Sequence, residues 1–134
     1  MKKAICLSLA LSQSAQDSCT IGDLQGQWKV NYFLKNPQQV GQCTLVIDNK
    51  LNTSGDCQNI TYGLDSTIVY GSGTISKSCA VKGAMCLDDG QKVTFSVNVA
   101  ADRQTMTGSL KSKLDHYSWS GRANLTKTGG LSCQ

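Results

Sequence analysis

From Leu24 to Lys35 the side chains alternate between apolar and polar. Gly26, Trp28, Val30, Tyr32 and Leu34 share one parity; Gln25, Gln27, Lys29, Asn31 and Lys35 share the other, and Phe33 is the one apolar intruder. Period two with one apolar face predicts a strand laid against a core. Trp28 is the largest side chain on that face, so it is expected to act as a core anchor at the closed end of whatever the strands enclose.

The same alternation recurs downstream. Gln42 to Asp48 predicts a strand with Cys43, Leu45 and Ile47 facing inward, followed by a turn at Asp48-Asn49-Lys50. Leu51 to Ile60 reads as extended but polar, with a bulge expected at Ser54-Gly55, and Thr61 to Ser66 as a loop. Thr67 to Ser76 is strand-like, either one bent strand or two short ones, because Gly71-Ser72-Gly73 interrupts it. Cys79 to Leu87 is extended and ends at the hairpin signal Asp88-Asp89-Gly90. Val93, Phe95, Val97 and Val99 form the cleanest inward row; Met106, Gly108 and Leu110 form the next, and Tyr117, Trp119, Gly121, Ala123 and Leu125 the last.

Short strands separated by turn signals every ~8–12 residues predict an all-β barrel or sandwich. No amphipathic helix is expected. Consecutive hairpins favour a small antiparallel up-and-down β-barrel of about eight strands, because closure removes exposed edges; a two-sheet sandwich is the alternative. In the barrel the first and last strands pair, which is expected to bring Trp28 and Trp119 into one interior with Tyr32 and Phe95 as further core residues.

Residues 1–15 carry a Lys-Lys start, a short apolar run and small residues, the plan of a bacterial secretory signal peptide. The remainder, 16–134, is expected to be a single domain, secreted or periplasmic, with no transmembrane segment. Cysteine usage agrees with an oxidising compartment. Beyond Cys6 in the leader there are six: Cys19, Cys43, Cys57, Cys79, Cys86 and Cys133. All six are expected in disulfides, with no free thiol. Cys43 and Cys57 flank one turn almost symmetrically and are assigned to each other. Cys19 and Cys133 are assigned as a clip between the termini, which leaves Cys79 with Cys86 through a bend near Gly83.

Candidate chemistry is thin. The one histidine, His116, sits beside Asp115 at a turn, with no nucleophile elbow anywhere, and Asp88-Asp89 is already explained by its hairpin. Without a Cys-x-x-Cys pair or a second histidine, no metal site is expected. The chain is therefore read as non-enzymatic, with no cofactor. The net charge of +4 is scattered along the sequence, so no nucleic-acid partner is expected. Lys29, Lys82, Lys92, Lys111 and Arg122 fall on outward parity, where charge protects a β-protein from aggregation.

Gly26-Gln27-Trp28 at the head of the first strand resembles the Gly-x-Trp that opens the barrels of the calycin group: lipocalins, avidins and small secreted bacterial metalloprotease inhibitors. Leu24 to Trp28 is similar to the avidin opening in particular, and Phe95-Ser96-Val97-Asn98 followed by Thr107-Gly108 to a later avidin stretch. The likeness implies a barrel and carries over no biotin site, because avidins line theirs with several tryptophans and this chain has 2.

Three functions remain: a binding protein acting through barrel-end loops on a protein partner, as an inhibitor would; a small-ligand carrier; and a structural subunit of a surface assembly. Small barrels are usually filled by inward side chains such as Trp28, Tyr32, Phe95, Met106, Tyr117 and Trp119. That expectation places function on the loops and ranks the protein partner first. The candidate binding residues are Asn36, Pro37, Gln38 and Gln39 in one loop, and Tyr62, Leu64 and Asp65 in another, with Thr20 to Asp23 as a third surface.

Overall fold

The computed structural model describes residues 18–129. One turn of helix, α1 (Ile21–Leu24), precedes eight strands: β1 (Gly26–Lys35), β2 (Gln39–Ile47), β3 (Thr53–Asn59), β4 (Leu64–Ile75), β5 (Ala80–Leu87), β6 (Lys92–Val99), β7 (Thr105–Leu114) and β8 (Tyr117–Gly129). Each pairs antiparallel with the next, and β8 pairs back onto β1 from Lys35–Ser120 to Gln27–Gly129, so the sheet is a closed up-and-down barrel. The sandwich is excluded. The strands keep the alternation of their sequence except β4, where Val69 and Tyr70 are both exposed, and the outward Lys29, Lys82, Lys92, Lys111 and Arg122 are all exposed.

The two ends of the barrel differ. At the closed end, here the floor, lie α1 and the turns at 48–52, 76–79 and 100–104. Trp28 is 0% exposed there, and its indole Nε1 donates to the Leu24 carbonyl at 2.8 Å. Lys127 Nζ stands 5.5 Å from the indole ring centroid and donates to the Asp23 carbonyl, covering the tryptophan from outside. The helix that completes this plug was not expected from the sequence. Four residues carry no helical period, and it holds by tertiary contact: Leu24 is 1% exposed, the Asp23 carboxylate accepts the Thr20 N–H at 2.8 Å and pairs with Arg103 at 3.5 Å.

Two disulfides lock this arrangement. Cys43 and Cys57 are directly opposite on β2 and β3 and bond within the barrel interior, the pair assigned from the sequence. Cys19 bonds Cys79, which corrects both other assignments. The Cys19 N–H donates to the Lys77 carbonyl, so the N-terminal segment lies along the β4–β5 turn and Cys79 comes within 5.1 Å (Cα–Cα). Cys86 lies seven residues further on, at the other end of β5. A strand of that length spans ~23 Å, far beyond the ~7 Å limit for a bridge. Cys86 points outward and is exposed, and it has no disulfide partner among the described residues, where every cysteine was expected in a bridge. Cys133, expected to pair with Cys19, lies outside the described residues. By chain entropy, closing loops of 14 and 60 residues contributes about 3 and about 4 kcal/mol.

The glycines do different work from that expected. The β2–β3 ladder runs without a register shift through Ser54 and Gly55, so no bulge lies there. Gly55 has φ of 138°, and a Cβ on it would strike the Thr44 carbonyl oxygen. The bulge falls instead between Ile68 and Tyr70 in β4, which remains one 12-residue strand through Gly71-Ser72-Gly73. At the β2–β3 turn, Asp48 accepts the N–H groups of Lys50 and Asn52 at 2.8 and 2.9 Å, which holds its carboxyl below the usual range.

Trp28→Ala is expected to lose ~3–5 kcal/mol of stability, as large-to-small core changes do. Gln27→Ala, exposed and of opposite parity, should change it by less than ~0.5 kcal/mol. Guanidinium titrations of the two variants check this; equal stabilities would show that the floor does not depend on Trp28.

Candidate functional site

Above the floor the inward side chains do not fill the barrel. They leave a cavity of about 130 Å³ that runs from Leu24, Leu51 and Leu125 up to Leu64, Asp65 and Asp89 at the opposite end, the mouth. Its wall is aliphatic: Val30, Leu34, Leu45, Ile47, Val81, Met85, Val93, Val97 and Met106, together with the Cys43–Cys57 bridge.

The reason lies in where the large side chains fall. Of the six that were expected to pack the interior, only Tyr32, Phe95 and Met106 line the cavity. Trp28 lies in the floor. Tyr117 and Trp119 lie at the mouth, stacked with ring centroids 6.3 Å apart; Tyr117 is 67% exposed and Trp119 half-buried. Trp28 and Trp119 therefore do not share one interior. Trp28 pairs with Lys127, and Trp119 is eight residues away along β8, or ~26 Å.

Polar groups line the upper half. On one side Ser112, 1% exposed, donates its hydroxyl to Gln91 Oε1, and Gln91 Nε2 donates to Asp89 Oδ2 at 2.7 Å. On the other, Asn59 Nδ2 donates to Gln39 Oε1 at 2.8 Å, and Asn59 Oδ1 accepts the Tyr62 N–H. Between them stands Tyr32, whose ring end lies over Gly41; a Cβ at Gly41 would strike the phenol. The Tyr32 hydroxyl has no hydrogen-bond partner among the described residues. Burial pushes its pKa above the usual tyrosine value, and the negative charge of Asp89 pushes it further in the same direction. The lumen therefore presents a neutral phenol at neutral pH.

The two candidate loops meet at this mouth. Val40 donates its N–H to Thr61 Oγ1, and its carbonyl accepts from Ile60 and Thr61. Asn36, Pro37 and Gln38 form the exposed β1–β2 turn. Gln39 is not a loop residue: it opens β2, is buried, and pairs with Leu34. Leu64 and Asp65 likewise open β4 rather than sit in a loop. Tyr62 is exposed in the β3–β4 turn beside Ile60 and Leu64. Thr20 to Asp23 lie at the floor, away from the others. Asp89 was considered only within the Asp88-Asp89 pair and set aside as hairpin chemistry; Gln91, Ser112 and Asn59 were not named as site candidates, and polar residues on an inward parity near a strand end are the signal that was available.

Among the described residues no three His, Cys, Asp or Glu side chains converge on a metal-sized site, and no helix is long and apolar enough to cross a membrane. His116 is exposed in the β7–β8 turn. No family model matches the chain, and no curated protein matches it in sequence. What stands on geometry is an eight-stranded closed barrel with two disulfides and an apolar lumen.

The Tyr32 shift gives a pH test. Below pH ~10 the phenol is protonated in both folded and unfolded chains. Above it the unfolded chain ionises first, so the contribution is lost as pH rises through the raised folded value. Tyr32→Phe is expected to flatten the fall in stability on the alkaline side. An unchanged alkaline limb, measured by denaturant titration across pH 8–11.5, would contradict the placement of the phenol in the lumen.

Proposed function

We propose that this chain is a secreted or periplasmic, non-catalytic binding protein of calycin type that takes a small, largely apolar ligand into the barrel lumen. The observation that carries the reading is the cavity of about 130 Å³ above the Trp28 floor. An apolar cavity of ~150 Å³ takes a benzene or a xenon atom, so a single ring or a short alkyl chain is the right size. Leaving such a space in a core costs roughly 3 kcal/mol at ~24 cal/mol per Å³. A ligand of about seven heavy atoms that restores those contacts recovers part of that, so weak binding, with a dissociation constant of several millimolar or above, is expected from the cavity contribution alone. The sequence alone ranked a protein partner first because it expected the interior to be packed, and the cavity removes that premise.

A second reading keeps the protein partner. Ile60, Tyr62 and Leu64 are 51%, 53% and 63% exposed on one rim of the mouth, beside the Asn36–Gln38 turn. Exposed aromatic and aliphatic side chains grouped on a rigid rim suit contact with another protein.

Toluene is the probe that separates the readings. It is expected to shift the NMR signals of Val97, Leu110 and Ala123 in the lumen. Ala123→Leu, which places three more carbons into the cavity, should weaken binding at least about tenfold while the fold is retained. Shifts confined to residues 60–64, or unchanged affinity in Ala123→Leu, would contradict the lumen as the site.

A further inference from the structure

The charges that line the lumen are all of one sign. Among the described residues, Asp65 and Asp89 are its charged lining residues, and no Lys, Arg or His lines it. This is notable in a chain whose net charge is +4. Lys35, Lys92 and Lys113 reach the same end of the barrel, but on outward parity, and all three are exposed. Asp89 is also held in place. Gln91 donates its backbone N–H to Asp89 Oδ1 at 3.0 Å and its side-chain amide to Oδ2 at 2.7 Å, and Gln91 is itself fixed by the buried Ser112 hydroxyl. Each carboxylate oxygen accepts one of these bonds and keeps capacity for another. The Tyr32 hydroxyl lines the same lumen, its ring end over Gly41.

We propose that the lumen selects small amines: a single ring or short chain seated among Val93, Phe95 and Leu110, with an ammonium head at the mouth against Asp89 and the Tyr32 oxygen. This rests on the lumen being the binding site. An ammonium is a donor only, and the polar atoms the mouth leaves open, the Asp89 carboxylate and the Tyr32 phenol oxygen, can both accept. A charge-assisted bond to a carboxylate held by two hydrogen bonds is stronger than a neutral one, and because Asp89 is exposed at the mouth the gain is a modest one. A carboxylate head would instead sit beside two like charges with no cation lining its path, so fatty-acid-like anions are disfavoured. An alcohol falls between.

Benzylamine, benzyl alcohol and benzoate share one ring and differ in head, so calorimetric titration of the full chain with each at pH 7 and low salt reads the selectivity directly. Benzylamine is expected to bind at least about threefold tighter than benzyl alcohol, with benzoate weakest. Asp89→Asn, which keeps the Oδ1 acceptor for the Gln91 N–H, should weaken benzylamine about fivefold and leave benzyl alcohol within about twofold. Asp65→Asn serves as a second variant with its own fold checked by circular dichroism; a loss larger than that of Asp89→Asn would move the head to Asp65 and overturn the assignment to Asp89. Benzoate binding as tightly as benzylamine, or an amine-to-alcohol ratio unchanged in Asp89→Asn, would overturn the amine proposal while leaving the lumen as the site. If none of the three binds, or if Ala123→Leu leaves all three affinities unchanged, the lumen reading fails and the amine proposal falls with it.

Discussion

The ladder between β1 and β8 is the constraint on which everything else depends. It joins the first strand to the last, from Gln27–Gly129 to Lys35–Ser120, across the six strands between them. Without it β1 and β8 are open edges, the inward rows face no common interior, and Trp28 has no lid. With it, eight strands set a radius at which side chains can either fill the interior or leave room for one small ligand. Which of the two occurs is decided by side-chain volume at each level.

In this chain the volume is distributed unevenly along the barrel axis. The floor is overdetermined: Trp28, Leu24, the Lys127 cation over the indole, and the Cys19–Cys79 bridge all act within one layer. The mouth has a stacked aromatic pair and two hydrogen-bonded polar pairs. The middle is lined by valines, leucines and a disulfide, with Phe95 among them and Tyr32 above, the only aromatics among the described residues that line the lumen. A composition with 6% aromatics has little to spare for that layer. The cavity is thus what remains when the bulk goes to the ends.

Much of the fold could be read from the chain because strand alternation is a local property. The inward rows of β1, β6 and β7 stand where period two places them, the hairpin at Asp88-Asp89-Gly90 follows its turn chemistry, and Cys43–Cys57 follows from symmetry about one turn. What could not be read depended on height along the axis. Parity says that Trp28, Tyr117 and Trp119 face inward, but not that Trp28 is in the floor and the other two at the rim. The Cys19–Cys79 bridge depends on where the segment before β1 runs, which no periodicity encodes. The two loops chosen as a binding surface do reach the mouth, whereas the polar groups that line it from within, Asp89, Gln91, Ser112 and Asn59, come from strand ends and a turn whose residues had simpler local explanations.

The central claim is that the space above Trp28 is a ligand-sized apolar lumen within a closed barrel. Diffraction from crystals pressurised with xenon tests it most directly, because xenon enters apolar cavities of about this size without needing a polar partner. A single xenon peak bounded by Val97, Cys43, Leu45 and Leu125 is the expected result. Side chains closing that space, with no xenon peak between the Trp28 floor and the mouth, would contradict the account.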